Sequence, residues 1–536
     1  MRPGVKEQMA ADTPPADAPA ARTAHTADSR VVPAVASAMA AATADRFSRQ
    51  AVCWRADADG GLRVAPRADT LAGPGAALDP QALFEYLYFH VIPAPRTVFK
   101  GVQRLRAGHD VRWDGQQAQV SAWWRPSFDP NAHGGDFAQL RERFLGLLKD
   151  SVQRALGPGA PACFLSGGTD SSTVAGLLRD VTGQAPQAFS IGFDAAGYDE
   201  MDYARLAARH FGARHHEYYI TPDDLVRSIP VMAAAFDQPF GNSSVLPTYY
   251  CALQARQAGV QQLLAGDGGD ELFGGNARYA KQRVFDHYDR VPPLLRRGLL
   301  EPLFGLPVMS RLPLLKKGAS YIEQARTPMP DRLAMHNLLH RLGPQELLMP
   351  GFLAQVDLQG PAVHQRQTWA WAAGASDLNR MLAYDWQYTL ADSDLPKVRS
   401  ATALAGVGVS FPLLDDALLA FSMTLPDDYK LKGQKLRWFF KEALRGYLPD
   451  EIIDKPKHGF GLPFGPWALK HAPLMRLAAD SLHSLAGRGM VQPGFIRRLV
   501  DDHMPAHPGY YGEMVWVLMM LEQWLQAHAP KADFRG

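Results

Sequence analysis

The 536-residue sequence is poor in three things. Cysteine is scarce: Cys53, Cys163 and Cys251 are all it has. Their spacing matches neither a disulfide framework nor a metal-binding pattern. That excludes a cysteine-stapled secreted scaffold and predicts a reducing compartment, the cytoplasm. Long apolar runs are missing as well. No uninterrupted stretch approaches the roughly 20 residues that cross a bilayer as a helix, so no membrane span is expected. Charge of one sign is also lacking. Lys and Arg number 56 against 54 Asp and Glu, a net charge of +2. Such a balance offers no whole-chain attraction to nucleic acid or to an acidic membrane surface.

What is present is ordinary globular material, 47% apolar and 21% charged. The length suffices for two or three domains around a large core. Residues 1–45 are rich in Ala, Pro, Thr and Asp and nearly devoid of large apolar side chains. They cannot bury enough surface to offset their ordering entropy, so they read as a disordered tail. The Ala-rich stretch 31–42 is too weakly apolar and too far from the start for a signal peptide.

Ordered sequence is expected from about Arg46. Residues 51–54 and 62–65 alternate like short strands around a polar turn. Residues 83–91 read as a helix, and 108–124 as a hairpin turning at Asp114-Gly115. This small α+β module, 46–130, leads into a Pro- and Gly-bearing linker at 126–135. Phe137, Leu140, Phe144, Leu147, Leu148 and Val152 then recur at helical spacing, and Gly157-Pro158 ends that helix. From 162 onward the pattern alternates. Strands are expected at 162–165, 188–193, 216–220 and 262–265, with helices at 172–179 and 203–211 between them. Alternation of this kind predicts a parallel sheet with helices on both faces. Beyond about Tyr279 the pattern is mostly helical through Trp524. The second domain is thus 131–536, an α/β parallel-sheet domain with a large helical C-terminal part.

The strongest local signal is Ser166-Gly167-Gly168-Thr169-Asp170-Ser171-Ser172, set after a strand and before a helix. Two glycines allow close backbone approach to a phosphate. The helix N-terminus behind them offers unpaired N–H groups and the positive end of a dipole. The serines add hydroxyl donors. Asp170 is out of place beside a phosphate unless a metal lies between them, which implies Mg²⁺. The Gly-Lys-Ser/Thr ending of a Walker loop is absent.

This pattern resembles the pyrophosphate loop of the N-type ATP pyrophosphatases, and further motifs narrow the resemblance to the asparagine synthetase family. Phe189-Ser190-Ile191-Gly192-Phe193 is similar to the family's second strand, which implies backbone contacts from Ile191 and Gly192 to adenine. Asp237-Gln238-Pro239 and Pro247-Thr248 are similar to another of its stretches. Ala265-Gly266-Asp267-Gly268-Gly269-Asp270-Glu271 resembles the loop that faces the pyrophosphate loop. The resemblance implies nucleotide contacts at Gly266 and Asp267 and a second Mg²⁺ carboxylate at Asp270. Lys455-Pro456-Lys457-His458-Gly459-Phe460 resembles the segment whose lysine, here Lys457, steadies charge on the phosphates and the developing oxyanion. Lys435 and Arg437 match a further basic position more weakly. His215, His216 and His458 read as structural, since no third metal ligand stands at suitable spacing.

Two departures from the family stand out. Its glutamine-hydrolysing members carry a cysteine directly after the initiator methionine; here Arg2 follows Met1 and the first cysteine is Cys53. The module before the linker is also short, so a degenerate glutaminase module without glutaminase activity is expected. In addition, Gly408 and Ser410 stand where the family's Gly-Val-Glu-Ala-Arg segment has its glutamate and arginine. Taking that glutamate as the base toward ammonia puts aspartate amidation in doubt. Relatives such as β-lactam synthetases and lasso-peptide cyclases use an amine already present in the substrate. The resemblance therefore implies an ATP- and Mg²⁺-dependent ligase that adenylates a small-molecule or peptide carboxylate, with Lys457 and Asp170 as catalytic residues. Neither nucleic acid nor membrane is expected as a partner, and a homodimer is left open. A non-catalytic ATP-binding scaffold is the rival reading; intact Asp170, Asp270 and Lys457 argue against it.

Overall fold

The computed structural model describes residues 37–57, 60–132, 134–195, 197–285, 288, 290–304, 313–456 and 461–535. The expected tail before residue 37, and Lys457 and His458, lie outside these residues.

Ordered structure begins earlier than the composition of the first residues implies. Strands β1 (Ser37–Met39) and β2 (Ala41–Thr43) fall inside the expected tail. Both are recruited by partners distant in sequence. Strand β1 pairs antiparallel with β4 (Leu62–Ala65), and β2 with β6 (His109–Trp113). Small Ala and Ser side chains suffice because the ladder hydrogen bonds and the Trp54, Leu62, Val64 and Val111 cluster provide the stability. Strand β3 (Cys53–Ala56) lies between β4 and β5 (Gln103–Arg104), while β6 and β7 (Ala118–Ala122) form the expected hairpin.

Helix α1 (Pro80–Phe89) begins at Asp79, whose carboxylate accepts from the Gln81 amide, and carries Pro at its first position. Its apolar side chains do not stay within the module. Leu83, Phe84, Tyr86 and Leu87 share one buried cluster with Trp516, Leu518 and Trp524 of the C-terminal helix. The Tyr86 hydroxyl donates to the Val517 carbonyl at 2.8 Å. Burial of each such large apolar side chain contributes about 1.5–3 kcal/mol. A second tie is polar. Arg104 bonds Asp392 at 2.6 Å and the Ile92 carbonyl at 2.8 Å, both side chains being buried. The small module and the large domain therefore share a core.

The large domain opens with α2 (Phe137–Ala155), which carries a reciprocal capping box between Asp136 and Gln139. A five-stranded parallel sheet follows, in the order β10-β9-β8-β11-β12. Its strands are β8 (Ala162–Phe164), β9 (Gln187–Phe193), β10 (Arg214–Ile220), β11 (Gln262–Leu264) and β12 (Gly408–Ser410). Helices α3 (Thr169–Thr182) and α4 (Met201–Phe211) connect the first three strands. Helices α5 (Pro222–Ala235) and α6 (Val245–Gln257) lead back to β11. Phe144, Val174 and Phe211 cover one face of the sheet, and Cys251, Ala252 and Ala255 the other. The chain runs outward from β8 to β10 and then jumps back to β11. That reversal leaves a crevice at the C-terminal ends of β8 and β11, where parallel sheets bind ligands.

The helical region beyond residue 279 is inserted between β11 and β12 and continues after β12. It includes α7 (Leu395–Ala405), α8 (Trp438–Ala443) and α9 (Pro508–His528). Sequence periodicity did not indicate β12: three residues, Gly408–Ser410, are too few to show a period, and only pairing with β11 makes them a strand. Among the described residues, no helix is long and apolar enough to cross a membrane.

Candidate active site

A cavity of about 740 Å³ occupies the crevice, a size common for small-molecule sites. Its floor is the loop after β8. Here the N-cap of α3 is Gly168, which supplies no side-chain acceptor to the first turn. The leading N–H groups are thus left for a ligand at the positive end of a 14-residue helix. Inside the loop the Ser171 hydroxyl accepts from the Ser166 amide at 3.1 Å and lies 3.0 Å from the Ser166 hydroxyl. These bonds hold the turn closed without a ligand. Gly167 has φ +70°, and a Cβ there would fall 2.3 Å from the Ala204 amide nitrogen. Its role is to let the loop pack under α4.

Ser166, Gly168, Asp170, Ser171, Ile191, Gly266, Asp267 and Asp270 all line the cavity. Gly167, Ser172 and Gly192, expected at the nucleotide, lie off its wall. Ser172 is fully buried beneath the loop, and the open side of Gly192 is filled by the Tyr219 ring. The buried Ser172 hydroxyl makes no hydrogen bond among the described residues. The loop after β11 lies against the loop after β8; a Cβ on Gly266 would be 2.9 Å from the Ser171 amide nitrogen.

Asp170 and Asp270, more than 90 residues apart in sequence, converge on one guanidinium. Arg437 Nη1 is 2.5 Å from Asp170 Oδ2 and 2.8 Å from Asp270 Oδ1. The Arg437 side chain is buried, and its backbone adopts φ +51°. An L residue in that region costs about 1–2 kcal/mol. The strain turns the chain from a short hairpin into α8 and points the side chain inward, while the Arg437 amide donates to the Gly274 carbonyl at 3.2 Å. The carboxylates also fit Mg²⁺, which is commonly held by one or two carboxylates plus substrate phosphates.

A second charged group stands farther along the wall. Lys397 Nζ donates to Asp394 Oδ1 at 2.8 Å, and Asn242 Nδ2 donates to the same oxygen at 3.3 Å. Burial, reinforced by the Asp394 charge and opposed by Lys397, pushes the Asp267 carboxyl up to about 6. Lys397 is shifted the other way from a typical buried lysine: burial opposes its charge, but Asp394 and Asp267 outweigh it and raise the pKa. At the far end Lys455 pairs with Glu200 at 2.9 Å, its ammonium 4.4 Å from the centre of the Tyr203 ring. That pair anchors the chain two residues before Lys457. Lys397 and Asp394 stand three residues apart, whereas the meeting of Asp267 with Lys397 and that of Lys455 with Glu200 carry no sequence signal, because their members are far apart in the chain.

The structure corrects one reading outright. Gly408 sits at the N-terminal end of β12, beside Gln262, while the cavity lies beyond the opposite strand end. Residues 408–411 do not line it. Ser410 accepts a hydrogen bond from Gln262 Nε2 at 2.5 Å and serves the sheet edge. A glutamate at 408 would stand at that strand end, away from the cavity. Of the histidines singled out, His215 Nε2 is 2.7 Å from the Ser190 hydroxyl, and His216 stacks on Phe189 with centroids 4.5 Å apart. Among the described residues no cluster of three His, Cys, Asp or Glu is arranged for a metal. Cys53 is buried in the shared core, and burial drives its thiol far above the usual range.

Comparison with known proteins agrees with this geometry. The family model described as "Asparagine synthase" matches residues 143–526, and that described as "Glutamine amidotransferase domain" matches 35–124. The chain is 26% identical over 466 residues to a protein of Mycobacterium tuberculosis named as a glutamine-hydrolysing asparagine synthetase, covering 85% of this chain and 68% of that one. It is 24% identical over 450 residues to asparagine synthetase 1 of Bacillus subtilis, covering 83% and 68%. Among solved structures, NMN synthetase from Francisella tularensis overlaps 39% of this chain and 95% of its own at 17% identity, with a TM-score of 0.21, too low to speak to the fold. With the family model spanning most of its length, the chain belongs to the asparagine synthase family, whose members are ATP-dependent carbon–nitrogen ligases.

Proposed function

We propose that the chain activates a carboxylate with ATP as an acyl adenylate, releases pyrophosphate, and joins the acyl group to an amine not supplied by glutamine hydrolysis on this chain. The observation that carries this reading is the meeting of the two loops at the switch point of the sheet. Uncapped helix N–H groups, paired hydroxyls and two convergent carboxylates surround one cavity.

In this reading the α3 N-terminus and the Ser166 and Ser171 hydroxyls bind the leaving pyrophosphate, and the backbone near Ile191 receives the adenine. Asp170 and Asp270 hold Mg²⁺, which when bound neutralises charge on the triphosphate. Lys457 stabilises the pentavalent phosphorus and the oxyanion, the role its motif implies. Asp267, with its raised pKa, is ionised near neutral pH and can take the proton that the nitrogen of neutral ammonia or an amine sheds as it bonds to the acyl carbon and AMP leaves. Lys397 and Asp394 position the acyl substrate beside it, so proximity supplies much of the rate. Each of the three cysteines is buried, and burial is the main cause raising each thiol; none is poised to attack glutamine.

ATP–pyrophosphate exchange with Mg²⁺ across a panel of carboxylates, aspartate included, tests the reading. Carboxylate-dependent exchange supports it, and amide formation on adding ammonia or an amine names the second substrate. A protein that binds no ATP would overturn it.

A further inference from the structure

Arg437 poses a problem for a site meant to hold a divalent cation. Its guanidinium already occupies the bridging position, within 2.5 Å of Asp170 and 2.8 Å of Asp270. The arrangement is built rather than incidental. A Cβ on Gly275 would lie 1.8 Å from Asp270 Oδ1 and 2.8 Å from Arg437 Cδ, and one on Gly269 would lie 2.2 Å from Asp170 Oδ1. Two glycines thus leave the volume in which the three charged groups meet. The backbone of Arg437 is held at φ +51° to aim the side chain there.

We propose that Arg437 is the resident counter-ion of the metal site: it keeps free divalent cations out and yields its place only when metal arrives together with nucleotide phosphate. The inference rests on the nucleotide reading of the cavity given above. Its logic is electrostatic. A metal entering alone must compete with the hydrogen bond to Asp170 and the ion pair with Asp270, and must draw a buried guanidinium away from its two nearest anions, which is unfavourable. The triphosphate removes that obstacle. It supplies the anionic oxygens to which the displaced guanidinium can turn, and it completes the oxygen shell that two carboxylates leave short. Lys435 and Lys441, which also line the cavity, keep that side of the cavity positive for the phosphates. Arg437 is thereby a positioning residue for metal entry, and a phosphate ligand afterwards.

The test is a titration of the full chain with Mn²⁺ alone, followed by the electron paramagnetic resonance signal of free aquo-Mn²⁺. It is repeated in the presence of α,β-methylene-ATP. The wild type is expected to take up Mn²⁺ weakly alone and on the order of a hundredfold more tightly with the analogue. Arg437→Gln is expected to bind Mn²⁺ alone at least about tenfold more tightly than wild type, and Arg437→Lys to fall between, because the shorter, more strongly hydrated ammonium keeps the charge but holds the buried position between the carboxylates less well. Equal wild-type affinity for Mn²⁺ with and without the analogue overturns the inference while leaving the nucleotide site intact. So does a folded Arg437→Gln variant with no gain. Should that variant fail to fold, the two wild-type titrations still decide. Failure of the wild type to bind the analogue under any condition overturns the nucleotide reading and this inference with it.

Discussion

Two buried arginine–carboxylate groups in this molecule use the same chemistry for opposite ends. At the seam between the small module and the large domain, Arg104 meets Asp392. That carboxylate also accepts from the Ala94 amide at 3.1 Å and from Gln387 Nε2 at 2.9 Å. Its environment is closed, and burial outweighs Arg104 in raising its pKa. In the cleft, Arg437 meets two carboxylates that border a cavity. The first group has a surplus of donors around one anion and holds two parts of the chain together. The second brings two anions to one guanidinium on the wall of a ligand-sized cavity. The same pairing ties two parts of the chain together where it is enclosed and lines a cavity where it is not.

Substitutions can break that comparison. Asp170→Asn and Asp270→Asn should each lower carboxylate-dependent pyrophosphate exchange by about a thousandfold, with the melting temperature held or raised because a like charge has been removed. A large loss of stability instead would show the cleft charges to be as structural as those of the seam. Asp392→Ala is expected to do the reverse. Leaving Arg104 buried and unpaired costs about 3–5 kcal/mol of stability in denaturant unfolding, while exchange per folded molecule stays near wild type. The Asp267→Asn variant sharpens the view inside the cleft. It should retain exchange but lose about a hundredfold in amide formation. Since the wild-type carboxyl holds its proton up to about pH 6, amide formation should fall as pH drops through that value, a limb that Asp267→Asn removes. The smallest effect is expected at Gly408→Glu. The site is exposed and off the cavity, so activity should stay within about twofold and stability within about 0.5 kcal/mol.

Much was legible before any tertiary contact. Helix α2 was readable from Phe137, Phe144, Leu148 and Val152 because a long amphipathic period survives on its own. Strands β8 to β11 were readable because turn residues and helices punctuate them. The loops at 166–172 and 265–271 were readable because glycines beside acids and hydroxyls are costly to keep without a ligand. Strands β1 and β2 were not legible: their Ala and Ser residues carry no period, and they are ordered only by the partners that pair with them. Gly408 was assigned a catalytic position by motif alignment, and its place at the base of an edge strand shows that an aligned position need not face the site.

The sequence by itself determined the alternating parallel-sheet domain, the glycine loop with Asp170, and the facing loop with Asp267 and Asp270. Those features are local, and local propensity and backbone geometry write them into short stretches. The tertiary structure alone decided that Arg437 bridges Asp170 and Asp270, that Asp267 keeps company with Asp394 and Lys397, and that the small module shares its core with the C-terminal helix. Each of these depends on charges and apolar faces brought together from distant parts of the chain, where burial rather than spacing sets how strongly they act.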